Sequence, residues 1–215
     1  MKKLIIILIL LIPFLNTNAQ GIGKLAPEKP PVEFPDNSVG VDIVFSEGGI
    51  GFGGFYRHSL SRKFTFFTDI SISESKDDQE VVRIDPFTLQ PFTLFKLNRV
   101  FVVPLNFGLQ YRLFTDEIYD NLRPYINFGV GPTLVVTTPN NKEFFKAFGD
   151  AQSKYALGGY IGFGANFGID KSNLIGLNVR YYFIRLFDEG VEGLFGKYRK
   201  NLDGIFLAIN IGFMY

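Results

Sequence analysis

The stretch IFLAINIGFMY, residues 205–215, decides the fold, because apolar residues occupy every second position in it. The odd positions carry Ile205, Leu207, Ile209, Ile211, Phe213 and Tyr215. The even positions carry Phe206, Ala208, Asn210, Gly212 and Met214. A period of two is typical of a β-strand whose two faces meet different surroundings. The stretch therefore predicts a strand with one continuous apolar face and one mixed face.

The same alternation recurs along the chain and predicts eight strands. They cover residues 39–46, 50–57, 63–73, 99–113, 122–136, about 155–169, 174–186 and 205–215. After the first hairpin, short turns at 58–62, 115–121 and 170–173 alternate with long loops at 74–97, 137–154 and 187–203. This order predicts an antiparallel up-and-down meander whose two ends differ, one with tight turns and one with long loops.

The polar residues on the minor face indicate which kind of barrel the meander forms. They are Asp42, Asp69, Asn106, Gln110, Arg112, Arg123, Asn127, Asn166, Asn178, Arg180 and Asn210, accompanied by most of the strand glycines. A soluble barrel buries its apolar face inside, whereas a membrane barrel turns that face to lipid and fills its interior with polar and small residues. The strands are also long enough for the roughly 9–11 residues of a tilted transmembrane strand. The sequence thus predicts an all-β, eight-stranded transmembrane barrel with a plugged polar lumen.

The segments before the barrel have a different composition. Residues 1–19 combine Lys2 and Lys3 with a short apolar run and small residues up to Ala19, which predicts a signal peptide cleaved after Ala19. Residues 20–37 are rich in proline and are predicted to form an extended tail before a barrel at 38–215. The chain has no cysteine and a formal net charge of +1, so disulfides are excluded and nucleic acid is not an expected partner.

With these features the chain resembles the small eight-stranded outer-membrane β-barrels typified by OmpA and OmpX. The resemblance rests on the leader, the alternation of short turns and long loops, and the terminal aromatic of IGFMY. It implies a location in the outer membrane, contact with outer-membrane lipids and lipopolysaccharide, and insertion by the barrel-assembly machinery. Phe213 and Tyr215 match the insertion signal of such barrels. It also implies that the tight turns face the periplasm and the long loops the exterior.

Three function classes follow from the residues. An enzyme of the lipid-modifying kind needs a histidine base near the outer rim, and the one histidine, His58, falls in a predicted periplasmic turn. A metal site would have only oxygen ligands, at most Asp77, Asp78 and Glu80, so no metal or cofactor is expected. A small pore for ions or small solutes is the first alternative, and the lipid-modifying enzyme is the second, disfavoured one. The favoured function is a structural or interaction role without catalysis, as in secretion accessories of the PorT-like kind, with an envelope protein as a further partner.

The second long loop suggests where such a partner binds. EFFKAFGDAQSKY, residues 143–155, places Phe144, Phe145 and Phe148 at spacings that suit one side of a short helix. Exposed phenylalanines on an outer loop predict contact with lipopolysaccharide, with a partner protein or with the barrel mouth. Folding back over the mouth is the favoured arrangement.

Overall fold

A computed structural model describes residues 33–77, 79–84, 86–87, 89, 91–118, 121–168 and 171–215. The strands are β1 (Asn37–Ser46), β2 (Gly49–Ser59), β3 (Phe64–Ser75), β4 (Val82–Ile84), β5 (Pro91–Thr93), β6 (Asn98–Arg112), β7 (Leu122–Pro139), β8 (Gln152–Phe167), β9 (Asn173–Leu186), β10 (Val191–Leu194), β11 (Lys197–Arg199) and β12 (Gly204–Met214). One short helix, α1 (Phe144–Ala147), continues into a 3-10 turn at Phe148–Asp150. The proposed signal peptide, its cleavage at Ala19 and most of the proline-rich tail lie outside the described residues.

Eight of these strands close into a barrel in the order β1, β12, β9, β8, β7, β6, β3, β2. Every neighbouring pair is antiparallel, and β1 pairs with β12 from Ser38 opposite Met214 to Phe45 opposite Leu207. Closure leaves no free edge, so the backbone donors and acceptors of the barrel strands are paired within the sheet. The predicted eight-stranded antiparallel barrel, including its closing strand at the C-terminus, is confirmed.

The apolar face of each barrel strand lies on the outside. On β9 the exposed side chains are Ile175, Leu177, Val179, Tyr181 and Phe183, while the intervening side chains are buried. The same alternation runs along β12, where Ala208 and Asn210 are fully buried. Among the described residues, no helix is long and apolar enough to span a membrane. The sidedness predicted for a membrane barrel is therefore confirmed.

Inward-facing glycines let large polar side chains fill the lumen. A Cβ atom on Gly162 would lie only 2.5 Å from Asn127 Oδ1, and one on Gly164 would lie 2.8 Å from the Tyr125 ring. Contacts this short would force the neighbouring side chains to move. The barrel interior is therefore packed with side chains, as expected for eight strands.

The ends of the barrel are more ordered than the sequence predicts. The long connections carry two extra hairpins, β4–β5 and β10–β11, in segments predicted to be loops. These strands are only three or four residues long, too short to show a period. The tight turns at one end and long connections at the other are confirmed, with β7 and β8 extending beyond their predicted bounds toward the long-loop end.

Candidate functional site

A buried triad of charges lies at mid-height in the lumen. Arg180 on β9 reaches Asp42 on β1 with Nη2 at 3.2 Å from Oδ2, and Asp69 on β3 with Nη1 at 3.4 Å from Oδ2. All three side chains are almost fully buried. One guanidinium thus bridges two carboxylates that come from strands on opposite sides of β2, and this part of the lumen keeps one excess negative charge.

Neutral donors satisfy the remaining carboxylate oxygens of the triad. Asn106 Nδ2 donates to Asp69 Oδ1 at 2.8 Å, and the Tyr160 hydroxyl donates to Asp69 Oδ2 at 2.9 Å. Asn210 Nδ2 donates to Asp42 Oδ1. Buried carboxylates require such partners, because an unpaired acceptor in a low-dielectric interior costs the full desolvation energy. The triad is therefore held from several strands at once.

An amide layer continues the polar network toward the tight-turn end. Asn178 Nδ2 donates to the Tyr125 hydroxyl at 2.9 Å and lies 3.3 Å from Asn127 Oδ1. Asn127 Nδ2 in turn contacts the Tyr160 hydroxyl at 3.3 Å, which joins the amide layer to the triad. Closure of the barrel thus brings asparagine and tyrosine side chains of β7, β8 and β9 into one hydrogen-bonded layer.

The sequence-predicted lumen residues fall into two groups. Those with buried side chains are Asp42, Asp69, Asn106, Gln110, Asn127, Asn166, Asn178, Arg180 and Asn210. Arg112 and Arg123 are half-buried near the tight-turn mouth and do not reach the triad. Tyr125, Tyr160 and Tyr182, which no prediction singled out, are also buried in the lumen. Their positions in the strand alternation put them on the same face as the predicted lumen residues, and this is the signal that could have found them.

The long-loop end of the lumen is apolar, which differs from the predicted polar filling. A cluster of buried side chains fills it, namely Val44, Val100, Val102, Val135, Ile184, Leu186, Val191 and Leu202. Val191 and Leu202 come from the third long connection, so this connection folds over the mouth. Its hairpin, β10–β11, is called the lid hairpin below. Apolar residues suit this place because the lid covers them from solvent.

The lid hairpin is tied to the other loops by backbone and charged contacts. Leu97 N donates to Gly193 O at 2.9 Å, and Phe195 N donates to Phe95 O at 3.0 Å. Arg199 donates to Lys76 O at 2.8 Å and pairs with Asp77. At the base of the lid, hydrogen bonds from Lys154 and then from Gly190 N hold the pKa of Asp188 below its usual value. These contacts close the long-loop mouth.

The loop at residues 143–155, called the aromatic loop below, packs on the outer wall and not over the mouth. The prediction that it folds back over the mouth is therefore wrong. The predicted short helix is present as α1, and the Phe144 and Phe148 rings lie 6.0 and 5.7 Å from the ring of Phe101. Phe101 belongs to the outward stripe of β6 and is covered by this contact. Phe145 remains 86% exposed, and its ring lies 5.3 Å from the ring of Phe144.

The residues considered for metal binding and catalysis have structural partners. Asp77 pairs with Arg199, and Glu80 pairs with Lys96 at 3.1 Å, while Asp78 lies outside the described residues. His58 lies at the end of β2, and its Nδ1 is 2.8 Å from Asn37 Oδ1. Within the part of the chain that the structure describes, no group of three metal-ligating side chains is present.

At the tight-turn end the start of β1 contacts the residue that follows β12. Asn37 N donates to Tyr215 O at 3.1 Å, and Tyr215 N donates to Asn37 O at 2.9 Å. The side chains of Phe213 and Tyr215 are largely exposed on the outer face, where the sequence analysis places an insertion signal. Phe34, before β1, packs against Phe55, Leu174 and Met214 inside the mouth, so at least this part of the predicted tail contacts the barrel.

Comparison with known proteins shows likeness of structure only. No protein-family model and no curated protein match the chain. The N-terminal β-barrel domain of Pseudomonas aeruginosa OprF is 12% identical, with 84% of this chain and 100% of that chain aligned at a TM-score of 0.47. Neisserial surface protein A is 10% identical over 83% of this chain and 94% of its own, also at 0.47. Ail of Yersinia pestis is 14% identical over 82% and 95%, at 0.41. The closed barrel therefore follows from the strand pairing of this chain itself.

Proposed function

We propose that the protein is a non-enzymatic integral barrel of the outer membrane that acts through the surface of its long loops. The observation that carries this proposal is the combination of an apolar outer wall with a lumen sealed by the lid hairpin and the apolar layer beneath it. A sheet that exposes apolar side chains on its whole outer face is stable in lipid, because closure satisfies its backbone there. Because the lumen is blocked at mid-height and covered at the long-loop end, the ordered loops offer the surface for a partner outside the cell.

The exposed part of the aromatic loop supports an interaction role. Phe144 and Phe148 anchor α1 on Phe101, and this contact presents Phe145 to the outside. A large apolar side chain held in the open by a rigid base is typical of a contact site for another molecule. We propose an envelope protein or lipopolysaccharide as its partner, with a secretion or envelope accessory as the biological role.

Photo-crosslinking at position 145 tests this role. With benzoylphenylalanine in place of Phe145, we expect a discrete adduct in intact cells, whose mass identifies a protein or a lipopolysaccharide. The matched control is the same replacement at Phe114, an exposed phenylalanine at the tight-turn end. Absence of any adduct from position 145, or the same adducts from both positions, would contradict the proposal.

A pore is the alternative function, and single-channel recording separates it from the sealed barrel. Because the apolar layer and the charge triad block the lumen between its two ends, we expect no steady openings of the reconstituted protein in a planar bilayer. Replacing Arg180 by Ala should leave this absent conductance unchanged. Ohmic openings of the unmodified protein, altered in size by the Arg180 replacement, would establish the pore.

A further inference from the structure

The tight-turn end of the barrel holds arginines that have no carboxylate partner among the described residues. Arg57 is only 5% exposed, and its Nη1 donates to Asn166 Oδ1 at 3.1 Å. Among the described residues, none of the ion pairs involves Arg57, Arg62, Arg112 or Arg123. Buried or half-buried cations without partners are unfavourable unless something compensates their charge.

These arginines surround one cavity. It has a volume of about 470 Å³ and opens at the tight-turn end, with Arg62, Arg112, Arg123, Gln110 and Asn166 among its lining residues. Strand pairing fixes this arrangement, because Arg123 lies opposite Asn166. Arg57 does not line the cavity itself; it lies behind Asn166, to whose Oδ1 its Nη1 donates a hydrogen bond.

The guanidinium groups keep unused donors at this cavity. The Nε atoms of Arg112 and Arg123 are buried and have no hydrogen-bond partner in the part of the chain that the structure describes. Arg123 stacks over the ring of Phe34 at 3.9 Å, and Arg57 stacks over Phe55 at 4.2 Å. A guanidinium that stacks on a ring keeps its N–H donors in its own plane, where they can bind oxygen atoms. Stacking thus fixes the orientation of both groups and leaves donors free.

The charge balance of the cavity indicates the kind of ligand. Its lining includes the carboxylates of Glu33 and Asp36, which oppose the charges of Arg62, Arg112 and Arg123. Within the described part of the chain, these lining residues and Arg57 behind the wall give four positive charges against two negative ones, so two positive charges remain. A monocarboxylate would offset one of these, whereas a doubly charged oxyanion offsets both and accepts several N–H bonds at once.

We propose that this cavity binds a phosphate-type dianion, with Arg112 and Arg123 as charged donors, Gln110 and Asn166 as neutral donors, and Arg57 and Arg62 adding to the positive potential. The ligand enters from the tight-turn end, because the apolar layer and the lid hairpin close the other end. Free phosphate and the phosphoryl group of a larger molecule, such as a lipid, share this chemistry. The site is independent of the loop surface on which the proposed function rests.

Titration calorimetry of the full chain in neutral detergent at low ionic strength tests the site, with inorganic phosphate, short-chain phosphatidic acid and acetate as separate probes. We expect saturable binding of phosphate, of phosphatidic acid or of both, and at least tenfold weaker binding of acetate. Binding of phosphatidic acid alone assigns the site to a lipid phosphoryl group, and binding of free phosphate assigns it to the small ion. No saturable binding of either phosphoryl probe would overturn the proposal.

Matched variants locate the binding. Arg123→Gln and Arg112→Gln should weaken phosphoryl binding at least tenfold, whereas Arg185→Gln, an exposed arginine on the outer wall near the other end, should leave it unchanged. Arg62→Gln changes an exposed turn residue and keeps the strands intact, so it should weaken binding several-fold even if the other variants fold poorly. The proposed site would be overturned if Arg185→Gln weakened phosphoryl binding as much as Arg62→Gln does.

Discussion

Replacement of Arg180 by alanine is expected to destabilise the folded barrel by about 3–5 kcal/mol, the cost typical of removing one member of a buried ion pair. The change leaves Asp42 and Asp69 as two buried carboxylates without a cation between them. Their neutral donors, Asn106, Asn210 and Tyr160, would remain, but hydrogen bonds alone do not offset two buried charges. The folded fraction in a urea titration, read from band position on unheated gels, measures the effect.

Asp42→Asn is the matched control for this prediction. It removes one of the two carboxylates and leaves Arg180 paired with Asp69, so the net charge of the triad changes from −1 to 0. We expect a loss of stability less than half that of Arg180→Ala. Equal stability of the two variants would show that the triad carries no charge coupling in the folded state.

A second large effect is expected on the lipid-facing wall. Val179 lies near the middle of β9 with an exposed side chain, opposite Phe163 on β8 and Leu207 on β12. Val179→Arg is expected to cost about 2–4 kcal/mol, because a charged side chain at the middle of the bilayer must leave water or distort the lipid around it. Reversible urea unfolding in lipid vesicles, followed by circular dichroism, measures this loss.

Ile175→Arg provides the depth control on the same strand. Ile175 is also outward but lies two residues from the start of β9, where a long side chain can reach the polar interface. We expect a cost of about 0–1 kcal/mol there. Equal costs at positions 175 and 179 would contradict the placement of β9 across the bilayer.

The sequence predicted the barrel well because strand periodicity and burial have the same cause. In β12, for example, every outward residue is apolar and every second residue is buried, so composition and geometry repeat together. The charge triad was foreseeable as a set of inward residues, yet its pairing was not, because Asp42, Asp69 and Arg180 meet only when closure brings β1, β3 and β9 together.

The two ends of the barrel were predicted less well. Val191 and Leu202 are isolated apolar residues in a polar segment, and nothing local shows that they cover the lumen. Phe144, Phe145 and Phe148 were predicted to share one side of a short helix, but only Phe144 and Phe148 pack on Phe101, which lies in β6 and far away in sequence. Contacts between loops that are distant in sequence depend on tertiary structure, which local patterns do not contain.

Spin labelling tests the central claim, that the apolar outer faces of the barrel strands contact acyl chains. The chain has no cysteine, so single cysteines at Ile161, Phe163 and Val179 can each be labelled alone in lipid vesicles. We expect frequent collisions of all three labels with molecular oxygen, which dissolves in lipid, and rare collisions with a water-soluble nickel chelate. Labels that collide mainly with the nickel chelate would contradict it.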